Sequence, residues 1–270
     1  MDFETIKLEK KDRLATLTFN RPDRSNALNR IMMSELAIAI EDVAEDNEIR
    51  AMLLTGSGKA FCAGADLDIM PGGGSASDLG ELGVEVLRRS FLFKTAKRII
   101  YGIQKMEKPT IAMVNGACVG AGFDIALACD IRTASEKAKF MCGFVKLGIF
   151  PGFGAAWFYP RTMGLGKALE MLYTGDMLGA QEAKEIGMVN KIAPPEELEA
   201  LTMKMVKKIL SGPPIALRLM KAQVYKGLGT DLDTALDEAA VCESITLASK
   251  DFIEGVTAFR EKRPVDFKGN

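Results

Sequence analysis

The chain has 270 residues, 48% hydrophobic and 26% charged, which is enough to bury a sizeable core in one large domain or in a domain with an appendage. The net charge is −1, so we expect neither nucleic acid nor an anionic membrane as a partner. Histidine is absent, which excludes histidine triads and leaves acid–base chemistry to carboxylates, lysine, tyrosine, cysteine or water.

The amino-terminal segment "MDFETIKLEKKDR" has neither the apolar core nor the cleavage site of a signal peptide. The five cysteines are odd in number and show no CxxC spacing. Both features favour a reducing compartment, and we expect a cytoplasmic protein without disulfide bonds.

Strand and helix patterns alternate along the first part of the chain. In chain order we predict a hairpin over 5–22, a helix over 29–46, a buried strand over 49–58, an extended piece over 59–67, a long helix over 84–106, a strand over 108–116, a helix after the turn at 120–124, strands over 131–142, and helices over 164–175 and 180–189.

The remaining segments differ in character. Residues 70–82 are rich in Gly and Ser, and the chain from Pro194 onward has an all-helical pattern. This organisation predicts an α/β core over 1–200, for substrate binding and catalysis, and a helical region over 201–270 for oligomerisation and active-site cover.

The most apolar stretch, residues 109–131, has the length of a membrane span. It contains Asn115, Asp124 and Asp130, and carboxylates inside a bilayer are costly. A buried strand, a tight loop and a buried helix are therefore favoured over a membrane span.

Two stretches combine small residues with an extended chain: "FCAGADL" at 61–67 and "NGACVGAGFD" at 115–124. Small residues let a ligand approach the backbone, and two amides that converge on one carbonyl oxygen form an oxyanion hole. Each stretch alone is more typical of turns and close packing. A dinucleotide-binding GxGxxG motif is excluded because Ile125 stands at its third glycine.

Several motifs, taken in their order along the chain, together resemble the crotonase (enoyl-CoA hydratase/isomerase) superfamily. The resemblance covers about the whole length of the chain. The motifs are "NRPDRSNALN", "LLTGSGKAFCAGADL", "KPTIAMVNGACVGAGFDIALACDIRTASEKAKF", "LGIFPGFGAAWFYPRTMG", "TGDMLGAQEAKEIGMVNKI" and "EGVTAFREKRPVDF". The resemblance implies an α/β fold, the crotonase spiral of strand–strand–helix repeats, with a carboxyl-terminal helical region that builds homotrimers or homohexamers.

The resemblance also implies a substrate, an acyl-CoA thioester, with no metal and no cofactor beyond the coenzyme A of that substrate. The thioester oxygen would lie between the amides of Ala65 and Ala121. The adenine of CoA would lie against the backbone of Ala63, Gly64, Ala65, Asp66 and Leu67. The CoA phosphates would contact Arg24 and Lys262 of the "AFREKR" segment, and Phe259 of that segment would also bind CoA; both cations are equally typical of solvated surface charge.

The acids depart from the family pattern. Typical hydratases of the family use two glutamates, whereas this chain has Asp124 at the first position and Phe144 at the second. Gly152 stands where some isomerases of the family place an Asp, and Asp68 stands where many members have a CoA-binding Lys. Asp124 is also typical of a carboxylate in the first turn of a helix, and Phe144 of ordinary core packing.

A single carboxylate can move a proton between two carbons, which isomerises a double bond, or can add water if that water supplies the second proton. Asp124 is therefore the predicted acid–base, and an apolar Phe144 would raise its pKa and favour a bulky or cyclic acyl group. Alternatives are a thioester hydrolase, a decarboxylase, or a catalytically impaired acyl-CoA-binding homologue. Other acids and aromatic residues lack support from a family position as catalytic groups: Asp66, Asp68, Glu81, Glu85, Trp157 and Tyr159.

Overall fold

The computed structural model describes residues 2–67 and 94–270. Several predictions lie outside the described residues, namely those for Asp68, Glu81, Glu85, the Gly/Ser-rich segment 70–82 and the first part of the helix over 84–106.

Ten strands are described, and most are short. They are β1 (Ile6–Lys11), β2 (Leu14–Phe19), β3 (Ala51–Gly56), β4 (Ala60–Cys62), β5 (Thr110–Val114), β6 (Ala117–Val119), β7 (Ile131–Ser135), β8 (Lys139–Met141), β9 (Met177–Gly179) and β10 (Lys191–Ala193).

Ten α-helices are described, with 3₁₀ turns at Pro22–Arg24 and Gly143–Leu147. The helices are α1 (Arg30–Glu45), α2 (Lys97–Lys105), α3 (Ala121–Ala128), α4 (Ala155–Met163), α5 (Leu165–Thr174), α6 (Ala180–Glu185), α7 (Leu198–Leu210), α8 (Pro214–Gly227), α9 (Leu232–Leu247) and α10 (Lys250–Glu261).

The larger sheet has the strand order β1-β2-β3-β5-β7-β10. The β1–β2 hairpin is antiparallel, and every later pairing in this sheet is parallel. Successive residues of β3 alternate between the two faces. Leu53 packs with Val206 of α7 on one face, whereas Met52 and Leu54 join the main core on the other. Because both faces are covered, β3 has the continuous apolar sequence of an interior parallel strand.

The smaller sheet has the order β4-β6-β8-β9 and carries the segments that were singled out in the sequence. Strand β4 pairs in parallel with β6, with Cys62 beside Cys118, and α3 begins two residues after β6. Gly122 of α3 lies so close to β4 that an added β-carbon would stand 2.7 Å from the carbonyl oxygen of Cys62. Only glycine permits this approach of helix to strand.

The carboxyl-terminal helices divide into two kinds. Helix α7 packs on the larger sheet through Met203 and Val206. Helices α8 and α9 contact each other, and no residue of either is buried. The predicted domain boundary at residue 200 falls within α7, and the division into a core and an oligomerisation region stays a prediction.

The layered α/β arrangement, the hairpin and the carboxyl-terminal helices agree with the predictions, and 109–131 forms β5, β6 and α3. The five cysteines are free, as expected. Helix α4 was not predicted, because Pro160 lies inside it and Gly154 precedes it. The three-residue strands β6, β9 and β10 were also missed, because they are too short for a period of two to show.

Candidate active site

Buried Asn26 joins the two segments that form one wall of the site. Its side-chain amide donates to the carbonyls of Ser57 (2.9 Å) and Ala60 (2.8 Å), and its Oδ1 accepts from the amide of Arg21. Asn26 has a φ of +58°, a left-handed conformation that asparagine tolerates better than most residues. The loop before α1 is thereby held against the start of "FCAGADL".

Ala65 lies in a parallel bridge with Leu28. The Leu28 amide donates to the Gly64 carbonyl at 2.7 Å, and the Asp66 amide donates to the Leu28 carbonyl at 3.0 Å. Because neighbouring residues of an extended chain direct their amides to opposite sides, the amide of Ala65 is directed away from Leu28.

Gly64 is the point where the two small-residue segments meet. A β-carbon added there would lie 2.9 Å from the carbonyl oxygen of Val119 and 3.7 Å from the amide nitrogen of Ala121. Its φ of +90° is also rare for residues with a side chain. Ala121 begins α3, where amide groups have no partner within the helix. The structure therefore places residues 64–65 beside the amino terminus of α3.

Asp124 lies in the first turn of α3, and its side chain is fully buried. Within residues 2–67 and 94–270, neither of its carboxylate oxygens has a hydrogen-bond partner. Burial penalises the ionised form and raises the pKa of Asp124 to about 8. A carboxyl group with this pKa can both accept and return a proton near neutral pH.

Tyr159 of α4 is a second buried polar group near Asp124. Its hydroxyl is buried and partnerless among the described residues, and its ring contacts that of Phe123 with centroids 4.9 Å apart. It lies near enough to Asp124 to lower that carboxyl's pKa, although the two groups form no hydrogen bond in the structure. Only tertiary packing of α4 on α3 reveals this proximity.

Phe144 lies against the turn before Asp124. A β-carbon added to Gly120 would be 3.6 Å from Cζ of Phe144, which is buried in the 3₁₀ turn Gly143–Leu147. The Phe144 ring therefore lies beside the turn that leads into α3. Its position agrees both with a role in the acyl pocket and with core packing.

The family model for enoyl-CoA hydratase/isomerase matches residues 9–270. The chain belongs to the enoyl-CoA hydratase/isomerase family. It is 42% identical to a crotonyl-CoA hydratase of Syntrophomonas wolfei, over 99% of each chain, and 36% identical to a 1,2-epoxyphenylacetyl-CoA isomerase of Escherichia coli, over 100% of this chain and 99% of that one.

A crystal structure of an enoyl-CoA hydratase from Bacillus anthracis shares the fold, with a TM-score of 0.89 and 33% identity over 99% of this chain and 100% of that one. The resemblance inferred from the motifs and the predicted crotonase fold are thus confirmed. This member of the enoyl-CoA hydratase/isomerase family is an enzyme, a hydratase or an isomerase.

The family's expected CoA-binding segment lies beside the same loop. The Ala63 amide donates to the carbonyl of Ser25 at 3.0 Å, which brings Arg24 next to residues 63–67. Asp66 is largely buried and accepts from Arg21 at 2.9 Å, so its carboxylate stabilises the loop; Leu67 is exposed. Arg21 was missed in the sequence, although it stands in the same "NRPDR" motif as Arg24.

Phe259 and Lys262 lie at the carboxyl-terminal end of α10. Phe259 is 86% exposed and lines an apolar groove of about 490 Å³ with Pro213 and Phe267. None of the described residues that line this groove belongs to 63–67 or 121–124. Lys262 ends α10 in an exposed, left-handed conformation.

The described part of this family member contains no group of three or more His, Cys, Asp or Glu side chains able to hold a metal ion. Among the helices within those same ranges, none combines the length and the apolar character needed to cross a membrane.

Proposed function

We propose that the protein hydrates or isomerises the double bond of an enoyl-CoA through a thioester enolate, with Asp124 as the acid–base. The buried, partnerless Asp124 carboxylate beside the amino terminus of α3 supports this proposal most strongly. A carboxylate without a hydrogen-bond partner is rare in a protein interior, and it is a typical feature of a catalytic group.

The amides of Ala65 and Ala121 are the proposed oxyanion hole. Support comes from the direction of the Ala65 amide, from the free first turn of α3, and from the close approach of Gly64 to Ala121. An enolate carries its negative charge on the thioester oxygen, so two fixed donors there stabilise the transition state more than the ground state.

In isomerisation, the Asp124 carboxylate takes a proton from one carbon next to the double bond. The C–H electron pair forms the new double bond, the old double-bond pair shifts to the bond between the α-carbon and the thioester carbon, and the carbonyl pair moves to the thioester oxygen. Protonated Asp124 then returns the proton to the carbon at the other end of the enolate system, so no atom is gained or lost. A pKa of about 8 suits both transfers.

In hydration, the same carboxylate takes a proton from water while the water oxygen bonds to the β-carbon. The double-bond electrons pass to the thioester oxygen, and Asp124 returns the proton to the α-carbon, so one water is added. Among the described residues, no second carboxylate perturbs the pKa of Asp124. With apolar Phe144 at the turn, this favours isomerisation, or hydration of a bulky or cyclic acyl group.

The remaining binding roles belong to the same proposal. CoA would lie along residues 63–67, with Arg24 near its phosphates, and no further cofactor is required. Phe259 and Lys262 would reach CoA only across an assembly of subunits, as a homotrimer or homohexamer would provide. The exposed apolar side chains of α8 and α9 support such an assembly.

The decisive experiment incubates the protein with linear, branched and cyclic enoyl-CoA thioesters in deuterated water and follows the products by mass spectrometry and NMR. Movement of the double bond, with or without deuterium in the acyl chain, indicates isomerisation. A gain of one heavy water indicates hydration.

Release of free CoA or of carbon dioxide would overturn the proposal in favour of hydrolysis or decarboxylation. Binding without turnover across the whole set would overturn it in favour of an acyl-CoA-binding homologue.

A further inference from the structure

We propose that Tyr159 is a positioning residue for Asp124: its buried hydroxyl donates a hydrogen bond to the carboxylate during turnover, which holds the carboxylate ionised and directed at the substrate. This inference rests on the proposed function, because it assigns a partner to the group that the function requires. Nothing in the crotonase motifs of this chain assigns a role to Tyr159.

The first support is the coincidence of buried groups without partners. Within the described ranges, both oxygens of Asp124 and the hydroxyl of Tyr159 are buried and form no hydrogen bond. Such groups are few in native proteins, and each requires an explanation. The Asp124 carboxylate on α3 is an acceptor and the Tyr159 hydroxyl on the adjacent α4 is a donor. The two groups can therefore satisfy each other's need for a hydrogen bond.

The second support is the fixed position of the tyrosine ring. Tyr159 is fully buried, and its ring packs on Phe123, the residue before Asp124, at an interplanar angle of 47°. Because packing holds the ring in place, the hydrogen bond forms when the Asp124 side chain turns toward the hydroxyl during turnover. The packing of α4 on α3 therefore sets the distance from hydroxyl to carboxylate.

The third support is the charge state of the surrounding groups. Tyr159, Cys142 and Cys118 lie near Asp124 on the elements packed against it, and burial raises the pKa of all three. These side chains are therefore neutral at physiological pH. Tyr159 is the group that lowers the pKa of Asp124, because its hydroxyl favours the ionised carboxylate.

The test compares Tyr159→Phe with the wild type on an enoyl-CoA that the enzyme turns over. The variant keeps the ring and removes one oxygen. Loss of a hydrogen bond to a charged group predicts a fall of about tenfold in kcat with little change in KM. The acid limb of kcat/KM, near pH 8 in the wild type, should move up by about one pH unit.

A direct titration removes the dependence on turnover. Infrared or carbon-13 NMR spectra of aspartate-labelled protein follow ionisation of Asp124, and Asp124→Asn assigns its signal. Tyr159→Phe should raise the midpoint. Replacing Tyr159 with 3-fluorotyrosine, a stronger donor of almost the same shape, should lower it. Opposite shifts from two ring-preserving changes do not follow from packing alone.

Tyr225→Phe is the matched control. Its hydroxyl donates to Asp130 at 2.8 Å, so the same oxygen is removed from a hydrogen bond to a different carboxylate. The acid limb should stay in place in this variant. If Tyr159→Phe does not fold, the fluorotyrosine protein decides the question.

The inference is overturned if folded Tyr159→Phe matches the wild type in kcat and in the Asp124 midpoint. It is also overturned if the fluorotyrosine protein leaves that midpoint unchanged. An inactive Asp124→Asn beside an unaffected Tyr159→Phe overturns this inference alone. A fully active Asp124→Asn overturns the proposed acid–base role itself.

Discussion

Helices α3 and α9 differ in the solvent exposure of their side chains. All eight residues of α3 are buried, including Asp124, whereas none of the 16 residues of α9 is buried. The usual distribution, with apolar side chains inside and charged side chains outside, is thus reversed at both helices. A carboxylate lies in the interior at α3, while apolar side chains such as Leu232 and Val241 are exposed on α9. An inverted distribution of this kind marks a place where the chain meets another molecule.

The two inversions point to different molecules. At α3 the buried carboxylate lacks a hydrogen-bond partner among the described residues, which fits a small substrate that brings reacting atoms to it. At α8 and α9 the exposed apolar surface is extended, which fits a second copy of the chain. Variants in each region can test these two interpretations separately.

The largest effect is expected at Asp124. Asp124→Asn keeps the size of the side chain and removes its ability to take a proton, so kcat/KM for the enoyl-CoA should fall about 1000-fold. Steady-state kinetics measures the loss, and calorimetric binding of a saturated acyl-CoA should stay near the wild-type value. Exposed Asp176→Asn is the control and should be active. Equal activity of Asp124→Asn and the wild type would contradict the catalytic interpretation.

Gly64→Ala should have the next largest effect. The added methyl would lie 2.9 Å from the Val119 carbonyl oxygen, at a φ of +90°, and would displace the amides of Ala65 and Ala121 from each other. Loss of one oxyanion donor predicts a fall in kcat of about 100-fold. Gly166→Ala is the matched control, because an added β-carbon there meets no atom within 4 Å. Comparable kcat values for the two variants would argue against the oxyanion hole.

The exposed helices should control the oligomeric state. Val224 is 66% exposed on α8 and Leu236 is 59% exposed on α9. The double change Val224→Lys and Leu236→Lys should shift the protein toward monomer in sedimentation velocity, because charge within an apolar interface is costly. Gln181→Lys, at an exposed polar position on α6, should keep the wild-type distribution. An unshifted double variant would exclude α8 and α9 as the subunit interface.

The smallest effect concerns stability and pH. Because burial raises the pKa of Asp124 to about 8, the folded protein binds an extra proton between about pH 4 and pH 8. Asp124 therefore destabilises the fold progressively as the pH rises through that window. Asp124→Asn lacks this pH-dependent penalty, so the gain in its free energy of unfolding over the wild type should be about 2 kcal/mol larger at pH 6.5 than at pH 5. Urea unfolding at both pH values measures the difference, and a pH-independent difference would mean that Asp124 is ionised when folded.

Much of the candidate site could be predicted without coordinates. The small residues of 61–67 and 115–124, the family order of the motifs and the absence of histidine together directed attention to Asp124, Ala65 and Ala121. Phe144 was identified because it replaces an expected acid. These inferences are possible from sequence because glycine-dependent turns, and the backbone amides that they expose, have short-range sequence signatures.

Other features could not be predicted because they depend on distant contacts. Pro160 obscured α4, and Tyr159 gains its significance only where α4 packs on α3. The ion pair of Arg21 with Asp66 likewise joins two segments that are separate in the sequence. Neither the packing of α4 on α3 nor this ion pair produces a periodic pattern in the amino-acid sequence.

The sequence by itself determined the family, the layered α/β class and the identity of the candidate acid, because periodicity, glycine turns and ordered motifs are local properties. Only the tertiary structure decided that the Asp124 carboxylate is fully buried with Tyr159 beside it, and that α8 and α9 remain exposed. Burial and the pKa it sets are properties of the packed surroundings, which many distant residues create together.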